Sequence, residues 1–184
     1  MQILFIRHGE PDYSLVTNKG FIGHGQDMAQ LTESGKKQSL LAAMDKRLVG
    51  TELILASPYT RALQTAAIIS RYRNIEINVE IDLHEWLPDL RYVYTSREAK
   101  LESFKLFMKN KGTCPIDSPV RYEEYQCVFN RVNACLQQYL SNKKIAVVTH
   151  SFIISAFCYP IEIPCGGIVE FEFDNSIKWR GWAE

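Results

Sequence analysis

Ile3-Leu4-Phe5-Ile6-Arg7-His8-Gly9-Glu10 is a short apolar run followed by four residues of distinct chemistry. The apolar run predicts a buried β-strand that ends in a cation, an imidazole and a glycine. In open α/β sheets, ligands bind at the edge where parallel strands end. Arginine can grip an anion through two parallel hydrogen bonds, neutral histidine is a nucleophile, and glycine lets the backbone approach a ligand. We therefore expect a ligand site that contains Arg7 and His8.

The composition is that of an ordinary globular protein. The chain has 184 residues, of which 46% are hydrophobic, so we expect one domain over residues 1–184 with a sizeable core. Lysine plus arginine and aspartate plus glutamate both number 21, which makes the formal net charge zero. Because nucleic-acid binding depends on a basic surface, this balance argues against a nucleic-acid partner.

Two further features bear on the cellular compartment. No apolar run reaches the roughly 18 residues that a membrane span needs, and the first residues lack the layout of a secretion signal. The five cysteines are odd in number and contain no C-x-x-C spacing, which fits neither a disulfide framework nor a zinc site. We expect a cytoplasmic protein with buried free thiols and no membrane partner.

The first half of the chain alternates predicted strands and helices. Thr32 can cap a helix over residues 33–48, and residues 53–56 form a short buried strand. Ser57-Pro58 then has the serine and proline that begin a helix. Residues 75–81 alternate apolar and polar side chains, as in a half-buried strand.

The second half continues the same alternation after an irregular stretch. Residues 86–118 have a weak pattern with one predicted helix over 97–111, and we interpret this stretch as an inserted lid. Ser118-Pro119 predicts the start of a helix with a core-facing stripe. A second strongly apolar strand covers residues 145–149, and the chain ends in a predicted strand pair, 168–173 and 177–182, joined by a turn. The pattern predicts an α/β fold of three α/β/α layers around a mostly parallel sheet.

Four predicted strand ends carry residues that suit phosphoryl transfer. His150 follows the 145–149 strand as His8 follows the first, Arg61 lies in the helix after the 53–56 strand, and Glu85 follows the 75–81 strand. Arg7, Arg61 and a protonated or N–H-donating His150 would neutralise a phosphoryl group. His8 would attack phosphorus, and Glu85 would protonate the leaving oxygen.

Nearby carboxylates compete with Glu85 for the role of acid. A shift of one residue in the register would present Asp82 or Glu80 to the site instead, and Glu10 is a further candidate. His84 is adjacent to Glu85 but should point the other way in an extended segment.

Five sequence blocks in order resemble the histidine phosphatase superfamily, in its phosphoglycerate-mutase-like branch. They are LFIRHGE at 4–10, LTESGKKQS at 31–39, LASPYTRALQTA at 55–66, LHEW at 83–86 and VVTHS at 147–151. The resemblance implies a phosphoglycerate-mutase-like fold, a phosphohistidine on His8 and no metal or organic cofactor. It also implies that Arg7, Arg61 and His150 hold the phosphoryl group, while Glu85 protonates the leaving group and then activates water.

The chain differs from the family pattern at positions that would contact the substrate. Many relatives carry Thr-x-x-Asn after the first block, where this chain has Pro11-Asp12-Tyr13-Ser14, so either Ser14 or Asn18 is expected to supply the hydrogen bond. Ser151 stands where relatives often have glycine, and its N–H or hydroxyl can still donate. Trp86 and Arg91 can line a pocket for the rest of the substrate, or belong to an ordinary packed lid.

Three functions are compatible with these residues. We expect a metal-independent phosphatase that hydrolyses a small phosphorylated metabolite. A phosphoglycerate mutase is the alternative, but it usually has a longer and more basic insert after the acid than this chain has. A catalytically silent binding module would not need the nucleophile His8 or the acid Glu85. Substrate specificity is expected to lie in residues 11–30 and 86–118.

Overall fold

A computed structural model describes residues 1–158 and 163–182. The strands are β1 (Gln2–Arg7), β2 (Pro11–Asp12), β3 (Gln30–Leu31), β4 (Leu53–Ala56), β5 (Ile77–Val79), β6 (Lys144–Thr149) and β7 (Ile168–Glu172). The α-helices are α1 (Ser14–Asn18), α2 (Glu33–Met44), α3 (Thr60–Arg73), α4 (Arg97–Lys109), α5 (Tyr125–Gln137) and α6 (Ser151–Ser155). Short 3₁₀ turns cover Gly23–Met28, Lys46–Leu48 and Ile81–Leu83.

The central sheet has the order β5-β4-β6-β1-β7 among the described strands. The β5-β4, β4-β6 and β6-β1 pairs are parallel, and β7 adds an antiparallel edge next to β1. The register aligns Arg7 with Thr149 and Ala56 with Val148. Strands β1, β4 and β6 therefore end side by side, which places their following residues at one edge of the sheet.

Alternating side chains of the sheet fill two separate cores. On β1, Ile3 and Phe5 face a core that contains α5, α6 and the carboxyl-terminal aromatic residues, whereas Leu4 and Ile6 face α2 and α3. Helices on both faces make this the three-layer α/β/α fold that the sequence pattern predicted. Small side chains such as Ala62 and Ala66 let α3 lie close to the sheet.

The helix boundaries differ from the prediction at two places in the first half. Thr32 caps α2 as expected, since its hydroxyl accepts from the Gly35 N–H at 2.8 Å. The helix ends at Met44 rather than residue 48, because Asp45 starts a separate 3₁₀ turn. The predicted helix start at Ser57-Pro58 is wrong, because α3 begins only at Thr60. The Ser57 hydroxyl accepts from the Tyr59 N–H at 3.4 Å and also lies 2.8 Å from His150 Nε2.

Two predictions in the second half are also wrong. The helix predicted from Ser118-Pro119 begins at Tyr125, because residues 118–124 are not helical. Instead, Glu123 N–H donates to Leu87 O at 2.9 Å and Leu90 N–H donates to Arg121 O at 2.7 Å. Residues 177–182 form no strand, and two tryptophans there pack on the core instead, Trp179 and Trp182. The predicted turn at 174–176 is present, with Asp174 accepting from the Ser176 N–H.

The irregular stretch 86–118 contains α4, which ends at Lys109 instead of the predicted residue 111. Among the described residues, no helix is long and apolar enough to cross a bilayer. The five cysteines are free thiols, as expected. Cys127 is exposed and Cys165 is half-buried, so the prediction that all are buried is wrong for these two.

Candidate active site

The carboxyl edge of the sheet brings His8, Arg61, Glu85 and His150 together. His8 and His150 follow the neighbouring strands β1 and β6, and their ring centroids lie 5.1 Å apart. The His8 N–H donates to Thr149 O at 3.0 Å, so the two strand ends are tied to each other directly. The convergence expected from the sequence is therefore present in the fold, although it does not by itself assign a role to any residue.

His8 presents one ring nitrogen to the site. Its Nδ1 lies 2.7 Å from the carbonyl of Gly9, an acceptor only, so Nδ1 carries the proton and Nε2 carries the lone pair. Burial, together with the Arg61 and Arg7 charges, lowers the pKa of His8 to about 3. The imidazole is therefore neutral at physiological pH, which is the state a nucleophile requires.

Arg61 is the buried cation at the centre of the site, with 2% of its surface exposed. Its Nε donates to His8 Nε2 at 3.2 Å, and its Nη2 lies 3.4 Å from His150 Nδ1. Its Nη1 faces Asp27 Oδ1 at 3.4 Å, and the guanidinium lies over the Tyr59 ring at 5.0 Å. Arg61 thus joins both histidines to a carboxylate.

His150 is fully buried and neutral. Burial and the Arg61 charge lower its pKa well below the usual value. Its Nε2 lies 2.8 Å from the Ser57 hydroxyl, while Nδ1 faces Arg61, which can only donate. Next to Arg61, the neutral ring carries its proton on Nε2. Because the Ser57 hydroxyl can also donate to Nε2, the tautomer with an N–H at Nδ1 becomes available when a phosphate oxygen replaces Arg61 there. Of the two forms expected from the sequence, the lowered pKa favours the neutral one.

Glu85 is positioned on the opposite side of His150 from Ser57. Its Oε2 lies 3.7 Å from His150 Nδ1, and its Oε1 accepts from the Trp86 N–H at 3.1 Å. Burial raises the pKa of this carboxyl, although the charges of Lys100 and Arg61 oppose the shift. A carboxyl with a raised pKa can hold a proton for a leaving group.

The competing carboxylates lie elsewhere. Glu80 accepts a short hydrogen bond from the Tyr139 hydroxyl. Glu10 accepts from Thr32 Oγ1 at 2.6 Å at the start of α2. Asp82 lies in the 3₁₀ turn Ile81–Leu83 and does not line the cavity that Glu85 lines. Of these carboxylates, the structure brings only Glu85 to the two histidines. His84 directs Nδ1 to the Glu85 carbonyl at 2.7 Å.

Arg7 lies at the end of β1 with its guanidinium partly engaged. Its Nη1 donates to Ile163 O at 2.6 Å. Its Nε is buried and finds no hydrogen-bond partner among residues 1–158 and 163–182. A buried donor without a partner is costly, so this atom is a candidate donor to a bound anion.

A cavity of about 830 Å³ opens beside Glu85. Of the residues expected to bind the substrate, Trp86 and Ser151 line it. Ser14, Asn18 and Arg91 do not. The Ser14 N–H is bonded to Asp12 at 2.8 Å, Asn18 ends α1 on the surface, and the Arg91 guanidinium pairs with Asp89 at 3.2 Å. Instead, α1 and the residue before it contribute Tyr13 and Thr17 to the wall.

Sequence reasoning missed three residues that support the site. Asp27 pairs with Arg61, Ser57 holds His150, and Thr65 Oγ1 accepts from the Gly9 N–H at 3.0 Å. Asp27 lies in a loop with no periodic pattern, so no sequence signal singles it out. Within the described parts of the chain, no group of three or more His, Cys, Asp or Glu side chains could hold a metal ion.

Comparison with curated proteins finds two distant relatives that are both named phosphatases. Phosphoserine phosphatase 1 of Hydrogenobacter thermophilus is 25% identical over 187 residues, covering 96% of this chain and 83% of the relative. The 2-carboxy-D-arabinitol-1-phosphatase of Triticum aestivum is 24% identical over 162 residues, covering 84% of this chain but only 31% of that longer protein.

Solved structures share the fold. An α-ribazole phosphatase from Shigella flexneri superposes with a TM-score of 0.69 at 21% identity, over 99% of this chain and 96% of that one. A mycobacterial glucosyl-3-phosphoglycerate phosphatase gives a TM-score of 0.69 at 15% identity, over 92% of this chain and 88% of that one. At these identities the likeness shows the fold alone.

The sequence profile of the histidine phosphatase superfamily (branch 1) matches residues 3–176, nearly the whole chain. The family and the names of the two relatives support a phosphoric monoester hydrolase. With the α/β/α fold and the site at its sheet edge, the match leads to one conclusion: the chain belongs to the histidine phosphatase superfamily.

Proposed function

We propose that the chain hydrolyses a small phosphorylated metabolite in the cytoplasm through a phosphohistidine on His8, without a metal ion. The observation that carries this proposal is the state of His8. Its Nδ1 is committed to the Gly9 carbonyl, and its neutral Nε2 faces the buried guanidinium of Arg61. Arg7, Arg61 and His150 are the proposed phosphate-holding residues, with the Ser151 backbone N–H as a further donor.

The first step transfers the phosphoryl group to the enzyme. Phosphate oxygens take over the N–H donors of Arg61, which releases the His8 Nε2 lone pair. Nε2 bonds to phosphorus, and the bond between phosphorus and the ester oxygen breaks. The Glu85 carboxyl gives its proton to that oxygen, and the alcohol departs. The raised pKa of Glu85 supports this role, because the carboxyl must be protonated when the substrate binds.

The second step returns the enzyme to its starting state. The Glu85 carboxylate takes a proton from water, the water oxygen bonds to phosphorus, and the nitrogen–phosphorus bond breaks. Inorganic phosphate leaves, and His8 is neutral again. The same carboxyl thus acts as acid and then as base.

The proposal is tested with Glu85→Gln and two substrates that differ in leaving group. Hydrolysis of an alkyl phosphate needs the proton, so its kcat/KM should fall about 10²- to 10⁴-fold. p-Nitrophenolate leaves without a proton, so p-nitrophenyl phosphate should give a burst of nearly one nitrophenolate per enzyme as phosphohistidine accumulates. All assays contain a chelator.

Glu10→Gln is the matched control, because Glu10 is a competing carboxylate two residues after His8 and the glutamine oxygen can still accept from the Thr32 hydroxyl. Its activity should stay within about twofold of the parent. His8→Ala should abolish turnover and, when combined with Glu85→Gln, the nitrophenolate burst. Full activity in His8→Ala would overturn the mechanism, and interconversion of phosphoglycerates without release of phosphate would support the mutase alternative instead.

A further inference from the structure

The cavity beside Glu85 has a wall made of aromatic and aliphatic side chains. The residues that carry this apolar surface include Tyr13, Trp86, Tyr94, Leu101, Phe104 and Phe152. These six come from the chain before α1, from the 86–118 stretch with its helix α4, and from α6. The wall begins at the proposed proton donor, since Glu85 and Trp86 are adjacent and both line the cavity. A group attached to the leaving oxygen would therefore lie along it.

The aromatic part of the wall is held in place from behind. The Trp86 indole donates to Glu123 O at 2.7 Å, and its ring lies 5.9 Å from Phe104 and 5.7 Å from Phe152. Phe104 and Phe152 lie 6.4 Å apart and nearly perpendicular. Such packing fixes the rings before any ligand arrives, so binding costs little side-chain entropy.

Helix α4 directs exposed apolar side chains toward this space. Leu101 and Phe104 are 48% and 38% exposed although they are large and hydrophobic. They are three residues apart and share one helix face with Arg97 and Lys100. Leaving such surface in water is unfavourable, and an apolar ligand would remove it from water.

The cavity has charged side chains of both signs. Arg97 and Lys100 are its cations, Asp27 is paired with Arg61, and Glu85 and Glu98 are its other carboxyl groups. A carboxylate on the body of the substrate would lose its water against the apolar wall, which is costly unless a cation pairs with it. The volume, about 830 Å³, lies in the upper part of the range for sites that hold drug-sized ligands, roughly 300–1,000 Å³.

We propose that the substrate is the phosphate ester of a bulky, uncharged alcohol with an aromatic or long aliphatic body, which lies against Leu101 and Phe104. This inference rests on the proposed function, because the position of the alcohol follows from Glu85 as its proton donor. Small diacids and amino acid phosphates would be poor substrates.

A series of primary alkyl phosphates tests the substrate class, because the alcohols have similar leaving-group pKa values. The series is ethyl, butyl, hexyl, octyl and 2-(1-naphthyl)ethyl phosphate, with glycerol 3-phosphate and phosphoserine for comparison. We expect kcat/KM to rise about three- to fourfold for each methylene that the wall covers. A flat series, or a preference for glycerol phosphate or phosphoserine, would overturn the inference and leave the proposed function standing. Failure to hydrolyse any ester would instead refute the proposed function.

Variants of α4 test the location. Leu101→Ala and Phe104→Ala should each lower kcat/KM for octyl phosphate about tenfold and leave that for ethyl phosphate within twofold. Met108→Ala is the matched control, since Met108 is on the same helix, is 47% exposed and does not line the cavity. An equal loss on both esters in the two variants, or the same selective loss in Met108→Ala, would show that the wall does not select the alcohol.

Discussion

At the scale of single residues, the site is organised around one buried positive charge. Removing a guanidinium from water costs several kcal/mol unless partners compensate for the loss. Arg61 has a carboxylate partner in Asp27 and two neutral imidazoles as acceptors. Burial, together with the Arg61 charge, lowers the pKa of His8 and of His150 and keeps both unprotonated. Arg61 thus needs His8 as a hydrogen-bond acceptor, and His8 stays neutral partly because of the Arg61 charge.

Asp27→Asn should change the pH dependence of the reaction as well as its rate. The Asp27 charge contributes to the raised pKa of Glu85, so its removal lowers that pKa. Glu85 must be protonated to act as the acid, so activity is lost above its pKa. The alkaline limb of the kcat/KM profile should therefore move to lower pH, which a profile with an alkyl phosphate measures.

The control for this change is Asp117→Asn, which removes an exposed carboxylate from the 86–118 stretch. Its profile should coincide with that of the parent. We also expect KM to rise in Asp27→Asn, because Arg61 loses the partner that orients it. An alkaline limb at the same pH in both variants would contradict the role of Asp27.

At the scale of elements, the position of His8 depends on the close approach of β1 and α2. A Cβ on Gly9 would lie 2.3 Å from the Gly35 carbonyl oxygen, and a Cβ on Gly35 would lie 2.3 Å from the Glu10 carbonyl oxygen. Thr32 and Glu10 clamp the same junction through their side chains at 2.6 Å. The segment after His8 therefore packs against the first turn of α2 with room for glycine only.

Gly9→Ala should separate β1 from α2, because its Cβ would meet backbone atoms that cannot rotate away. We expect a loss of about 3 kcal/mol in the free energy of unfolding, at the upper end of overpacking costs, and a fall in kcat as His8 moves. Urea denaturation and steady-state kinetics measure the two effects.

Gly50→Ala provides the comparison for this variant. Gly50 has a φ of 79° and no atom within 4 Å of a built Cβ, so the substitution strains only its own backbone. That strain costs about 1–2 kcal/mol without affecting the site. Equal losses of stability and activity in the two variants would show that the contact between Gly9 and Gly35 is unimportant.

At the scale of the whole molecule, the site makes folding sensitive to acid. His8 has a pKa of about 3 in the folded chain against 6.5 when unfolded, so the unfolded chain binds more protons between these values. Its contribution to stability is present above pH 6.5 and is lost as the pH falls toward 3. His150, whose pKa is also lowered, acts in the same direction.

As the pH falls from 7 to 5, we expect the protonation of His8 in the unfolded chain to lower the free energy of unfolding by about 2 kcal/mol. This value follows from a pKa of about 3 in the folded chain. Chemical denaturation of the parent chain and of His8→Asn at both pH values measures this decrease in the free energy of unfolding. In the variant, the decrease between pH 7 and pH 5 should be smaller by about 2 kcal/mol. Identical losses would mean that His8 is not held neutral by the fold.

Local patterns determined the fold class and the edge of the sheet that carries the site. The apolar run before Arg7 and the second one before His150 needed no information from distant residues, because burial of both sheet faces requires such runs. The prediction that Thr32 caps a helix also needed only the neighbouring residues. By contrast, the helix starts expected at Ser57 and Ser118 were wrong. In both cases a serine typical of an N-cap has a strong bond to a group outside the helix, to His150 for Ser57 and to the Val120 carbonyl for Ser118.

Only the tertiary structure decided what surrounds the reacting groups. Asp27 reaches Arg61 across 34 positions of sequence, and the aromatic wall joins elements before α1 to α6. Such contacts arise from packing in three dimensions and have no period along the chain. The sequence by itself therefore determined which residues could handle a phosphate, because each lies at or after the end of a strand. The structure decided their protonation, their partners and the apolar cavity beside them, because these depend on burial and on the field of distant charges.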